Sequence, residues 1–287
     1  MTALVFPATL RLHDGLWAAA LALLLAVWLP AGPAAAQGRL EARYEASLAG
    51  IPIGKGAWVI EIGDDQYSAA ANGGTSGLMK TFAGGSGTGA SQGRIVNGAF
   101  VPANYSASTT SSKKSETIRM TLAGGNVKES SIDPAPGVDP DRIPVTDTHR
   151  HGVLDPMPGA LLRVPGTADP ASPEARDATT AIFDGRMRYD LKLDFKRMAT
   201  VKAEKGYQGP AVVCAIYFSP IAGYIPDRAA IKYLAAQRNI EVWLAPIAGT
   251  RVLVPFKMTI PTPLGTGTLE AVQFVTTATP PRVAKTQ

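Results

Sequence analysis

The sequence predicts a mainly β fold: a single curved antiparallel sheet forming an open or incomplete barrel, with one or two short helices. Three observations predict it. In Arg186-Met187-Arg188-Tyr189-Asp190-Leu191-Lys192-Leu193-Asp194-Phe195 every odd-numbered residue is apolar and every even-numbered one charged. That period of two belongs to a strand with one wet face, hence to an antiparallel sheet. Second, glycine (29) and proline (23) are about 18% of the 287 residues, against a usual share of roughly 12%. Many short elements joined by turns fit that composition, and a helical bundle does not. Third, glycines repeatedly separate apolar runs, as at Gly63-Asp64-Asp65, Gly124-Gly125-Asn126 and Gly249-Thr250, where tight hairpins need positive φ.

In chain order, the first element is an address. Residues 16–29 form an uncharged apolar run behind Arg11, followed by Pro30 and the small-residue stretch Ala34-Ala35-Ala36-Gln37. Fourteen helical residues span about 21 Å, short of the roughly 30 Å hydrocarbon core. The pattern reads as a cleavable signal peptide over residues 1–36, with an uncleaved anchor as the alternative. The mature chain is then expected in the periplasm with no stable membrane span. A net charge of +5 and 7% aromatic residues, without a basic cluster, argue against a nucleic-acid partner.

From residue 40 onward strand signals dominate. Residues 117–122 and 127–132 form one expected hairpin, residues 240–244 and 252–258 another, and residues 269–277 a last strand. Pro255 lacks a ladder donor, so its strand is expected at an edge or beside a bulge. Two helices are expected. One covers residues 227–238 with Asp227 as N-cap and Ile231, Leu234 and Ala235 on one stripe; the other is a short piece over residues 156–163. Residues 165–177, with Pro165, Pro170 and Pro173, form a surface loop within one β-rich domain of residues 37–279. Residues 280–287 are a disordered tail. The Gly-rich stretch at residues 84–89 lacks the Lys-Ser/Thr ending of a phosphate loop and reads as strand or loop.

Several segments resemble a known family. They are Tyr44-Glu45-Ala46-Ser47-Leu48-Ala49-Gly50-Ile51-Pro52-Ile53-Gly54, Asp155-Pro156, Phe183-Asp184-Gly185-Arg186, Tyr207-Gln208-Gly209-Pro210-Ala211-Val212-Val213-Cys214, and Ile240-Glu241-Val242-Trp243-Leu244 with Pro255. Together the chain resembles the exported Gram-negative proteins grouped as domain of unknown function 3108. The resemblance implies an envelope location and a β-rich shape, and it brings no mechanism.

Chemistry-bearing patterns are sparse. The weak metal candidate is His149 with His151, since His-x-His on an extended segment puts both rings on one face. The other histidine, His13, leaves with the signal, so a metal-dependent hydrolase at His149/His151 would need Asp147 or Asp155. The competing reading is a polar loop. No G-x-S-x-G elbow is present, and Ser219-Pro220 reads as a turn. Asp184, Asp190 and Asp194 are expected to point to solvent beside Arg186, Arg188 and Lys192. Cys214, the single cysteine, lies in an apolar run and reads as a small buried hydrophobe. No catalytic residue and no cofactor is expected. The leading expectation is a periplasmic non-enzymatic protein whose curved sheet takes an acyl chain or a lipidated envelope component. Tyr189, Leu193 and Val242 are the expected lining. The alternative is a protein–protein or cell-wall interaction module for envelope integrity.

Overall fold

The computed structural model describes residues 37–77, 84–111, 114–173 and 178–278. The expected signal peptide and tail lie outside the described residues. The strands are β1 (Gly38–Leu48), β2 (Ile51–Ile62), β3 (Gln66–Thr75), β4 (Gly85–Val96), β5 (Ala99–Ser111), β6 (Ser115–Ala123), β7 (Asn126–Asp133), β8 (Leu162–Arg163), β9 (Ala178–Phe183), β10 (Arg188–Lys202), β11 (Lys205–Gly206), β12 (Gln208–Ala222), β13 (Ile240–Pro246), β14 (Val252–Thr262) and β15 (Gly265–Ala278). The helices are α1 (Pro156–Gly159) and α2 (Ala229–Ala236).

All fifteen strands belong to one sheet. Its order is β7-β6-β5-β4-β3-β2-β1-β15-β14-β13-β12-β10-β9, with β8 beside β14 and β11 parallel to β15. The other pairings are antiparallel. The sheet is not closed by a ladder between β7 and β9. Instead the chain at residues 153–154 fastens the two edges. Val153 N–H donates to Gly125 O at 2.8 Å, Leu154 N–H to Ala181 O at 2.9 Å, and Phe183 N–H to Leu154 O at 2.9 Å. Across the same seam the Arg186 guanidinium meets Glu116 at 2.5 Å.

The two halves bury their side chains differently. In β3 to β6 buried and exposed residues alternate: Tyr67, Ala69, Ser91, Tyr105 and Met120 turn inward, while Ser68, Ala70, Gln92, Ser106 and Arg119 face water. In β12 to β14 both faces are covered. Val212, Cys214, Val242, Leu244 and Leu253 form a smaller cluster with Leu162 and Val164. Their neighbours Ala211, Ala245, Val252 and Val254 join the main core around Leu40, Ile60, Phe256 and Phe274. A continuous apolar run such as residues 211–216 is what double-sided burial requires. Cys214 is accordingly fully covered.

Several local expectations need correction. Asp227 is not the N-cap of α2; Arg228 holds that position without a side-chain bond, and Asp227 pairs with Lys232 at 2.7 Å. The helix is also shorter than residues 227–238. The one near residue 156 ends at Gly159, and Leu162–Arg163 pairs with Val252–Leu253 as strand. Ser219-Pro220 is not a turn. It lies within β12, where a register shift between Arg188 and Tyr189 absorbs the missing donor of Pro220. Pro255, by contrast, stands beside a bulge as expected: its strand is interior, and the register shifts between Trp243 and Leu244 opposite it. Asp184 is not at the surface of a strand. It lies in the β9–β10 turn, where Oδ1 accepts from the N–H groups of Arg186 (2.8 Å) and Met187 (2.6 Å).

Candidate functional site

Glycines shape the most apolar concavity. Gly54 and Gly56 on β2 and Gly73 and Gly74 on β3 lie together at the pairs Lys55↔Gly74 and Gly56↔Gly73. A Cβ at any of the four would meet mainly backbone of the adjoining strand, the nearest atoms being carbonyl oxygens at 3.0–3.3 Å. Gly54, Gly56 and Gly73 share the face of Tyr44, Ala46, Trp58 and Ala71, and their missing side chains leave open space in front of it, while Gly74 falls on the opposite face with Lys55. The result is a cavity of about 490 Å3, walled also by Tyr44, Ala46, Trp58, Ala71, Pro255, Met258 and Leu269, with Ala160 reaching it from the end of α1.

The polar groups around this wall are spoken for or covered. Tyr44 Oη donates to Pro255 O at 2.7 Å, and burial pushes its phenol above the ordinary range. Lys55 and Lys257 border the cavity, paired with Glu45 at 2.8 Å and Glu270 at 2.9 Å. The Trp58 indole N–H is covered and has no acceptor. Being out of reach of solvent, it marks a local polar cost and offers nothing to an occupant without a ring rotation.

Beside the cavity, a buried polar chain fixes α1 inside the sheet. Asp155 is fully buried. Its Oδ1 caps α1 by accepting from Met157 N–H at 2.9 Å, and its Oδ2 accepts from Ser91 Oγ at 2.7 Å. Ser91 is in turn 3.1 Å from Tyr67 Oη. Burial pushes the Asp155 carboxyl up to about 7, against the opposing pull of its hydrogen bonds. Burial first, and the Asp155 charge with it, pushes the phenols of Tyr67 and Tyr105 above their ordinary range. Helix α1 packs against β3, β4 and β9, so the Asp155–Ser91 bond ties together segments 64 residues apart.

A family model described as a protein of unknown function, DUF3108, matches residues 43–272. The chain belongs to the DUF3108 family. No curated protein matches this DUF3108 chain. Among solved structures, a beta-barrel-like protein of domain of unknown function DUF1849 from Brucella abortus is similar at 9% identity and a TM-score of 0.43, covering 86% of this chain and 100% of its own.

The expected lining residues of the DUF3108 protein sit elsewhere. Val242 is buried in the smaller cluster, with Leu193 packed against it. Tyr189 stacks on Phe218 with ring centroids 5.5 Å apart. None of the three borders the glycine-walled cavity. The two histidines are each engaged by a loop. His149 Nδ1 accepts from Thr146 N–H at 3.0 Å within a 3-10 turn, Asp147–Arg150, and His151 Nδ1 lies 2.9 Å from Asn126 Oδ1. Among the described residues no group of three His, Cys, Asp or Glu side chains is placed to hold a metal. No described helix is long and apolar enough to cross a membrane.

A second, larger concavity of about 870 Å3 lies along β2 to β7 and borders the water-facing residues Glu61, Gln92, Asn104, Arg119 and Glu129. Its polar rim differs in kind from the glycine-walled cavity. The four glycines were visible in the sequence as interruptions of strands; what was missing was the pairing that stacks them.

Proposed function

We propose that this DUF3108 protein is a non-enzymatic envelope protein that holds an apolar ligand, such as the acyl chain of a lipid or of a lipidated partner, in the glycine-walled cavity. The observation that carries the reading is an apolar cavity of about 490 Å3, within the usual range for small-molecule sites. Burying about ten methylenes is worth on the order of 8 kcal/mol before entropy costs, enough for micromolar binding. The neighbouring hairpin tips support an entry route. Ile51 at the start of β2 and Leu264 in the β14–β15 turn are 63% and 76% exposed, and the wall residues Gly54 and Leu269 lie further along β2 and β15. An export signal over residues 1–36, as expected from the sequence, fits such a protein in the periplasm.

Native mass spectrometry of protein purified from its own envelope tests the proposal. A retained mass released by organic solvent is the expected result; a bare polypeptide after gentle isolation, with no uptake of added lipid, contradicts it. The larger concavity along β2 to β7, with its rim of Gln92, Asn104, Arg119 and Glu129, favours a second reading, an interaction module that docks a protein or cell-wall segment on its water-facing side. Cross-linking in the envelope at Gln92 and Arg119 would then trap a partner independently of any lipid.

A further inference from the structure

We infer that a second site, a cleft of about 260 Å3 at the seam of the sheet, binds a phosphate group. Four cations line it: Lys114 before β6, Arg142 in the connection after β7, Arg186 in the β9–β10 turn, and Arg228 at the start of α2. Among the described residues Glu116 is its one lining carboxylate, so their lining carries three positive charges in excess.

The cations come from four separate segments, and hydrogen bonds hold Arg142 and Arg186 there. Arg142 Nη1 donates to Gly223 O at 2.5 Å, while the backbones at Ile143–Tyr224 and Gly223–Ile143 bond reciprocally at 2.9 and 2.8 Å. Arg186 is held on Glu116 at 2.5 Å, with Lys114 Nζ 3.8 Å from the same carboxylate. Arg228 occupies the N-cap of α2 and provides no side-chain cap. The first N–H groups and the positive dipole end of that helix therefore add to the same field. Asp227, next in sequence, turns away onto Lys232.

Like charges brought together across a seam cost stability unless an anion joins them. Guanidinium forks match phosphate oxygens in pairs, and a helix N-terminus completes such a cradle. The cleft is too small for an acyl chain and suits a single headgroup. It stands apart from the glycine-walled cavity: the two share no lining residue, and this site holds or fails independently of the acyl proposal.

The test uses the full protein with inorganic phosphate and glycerol 3-phosphate by calorimetry at low salt, and cosedimentation with phosphatidylglycerol or phosphatidylcholine vesicles. The variants are Arg228→Gln, the double variant Lys114→Gln/Arg228→Gln, and Lys202→Gln, an exposed cation at the far end of β10. The expected result is saturable phosphate binding, or sedimentation that requires phosphatidylglycerol. Binding should be weakened about tenfold or more in the double variant, the scale of one lost charge-assisted hydrogen bond, and unchanged in Lys202→Gln. Saturation by the soluble phosphates marks a free ligand, and binding to phosphatidylglycerol vesicles alone marks a lipid headgroup. Should the double variant melt early, Arg228→Gln alone carries the comparison. No saturable binding in any arm, or an equal loss in Lys202→Gln, overturns the inference.

Discussion

Replacing Asp155 by Asn should leave stability near that of wild type in acid and raise it above wild type as pH rises. Asp155 is fully buried; it accepts from Ser91 and its charge acts on Tyr67, Tyr105 and Tyr189. Its carboxyl is held at about 7 against an ordinary 3.8. The folded state therefore binds this proton more tightly than the unfolded chain does. The stability it contributes is fully present below about pH 4 and is lost as pH rises through about 7. Integrated over that window, the loss is about 4 kcal/mol. Asn keeps the shape: its Oδ1 still accepts from Met157 N–H, and its amide can donate to Ser91 Oγ while the Ser91 hydroxyl turns to Tyr67. Urea melts of wild type and Asp155→Asn, read by tryptophan fluorescence across that range, give the difference directly and cancel every other titrating group, Asp184 included. The variant should gain on wild type as pH rises, by about 4 kcal/mol in all. Parallel curves, or a wild type that gains on the variant with rising pH, would refute the reasoning.

Three further outcomes are expected. Phe274→Ala removes a fully buried ring stacked on Phe256 and Tyr207, and should cost about 3–5 kcal/mol in a urea melt. Gly185→Ala should lower the melting temperature, because φ there is +94° and the added Cβ would lie 2.4 Å from Ile118 Cγ2 across the seam; a cost above about 1 kcal/mol is expected. Arg251 donates to the carbonyls of Val164, Pro165 and Ala168 at 2.7–2.9 Å. Arg251→Ala should therefore speed limited proteolysis within residues 164–173, with cleavage mapped by mass spectrometry.

Strands were legible where their own residues carry the pattern. The alternation over residues 186–195 and the Gly124-Gly125 hairpin are local facts; β6 and β7 stand where they imply, and β10 starts at Arg188, after a turn that takes Arg186 and Met187. What covers each face is not local. Leu193 and Phe195 pack, half-buried, on a second cluster supplied by β8, β12, β13 and β14, so part of the apolar face of β10 is covered by protein. Asp155-Pro156 marked a helix start, yet the weight of Asp155 comes from Ser91, 64 residues away. The cavity was the least legible part, because it consists of side chains that are absent at Gly54, Gly56 and Gly73. Only the register of β2 on β3 brings those gaps together. The basic cleft was hidden for a similar reason, its four cations being scattered singly between residues 114 and 228.

The acyl-binding proposal is tested most directly by titrating a fluorescent fatty acid into wild type and into Ala46→Phe. Ala46 lies on the cavity wall, its Cβ 3.7 Å from where a Gly54 Cβ would sit, so the new ring occupies ligand space without entering the main core. Wild type should bind saturably, and Ala46→Phe should lose that binding while keeping its melting temperature. Saturable binding that survives Ala46→Phe unchanged, or no binding by wild type, would contradict the assignment of this cavity as the acyl site.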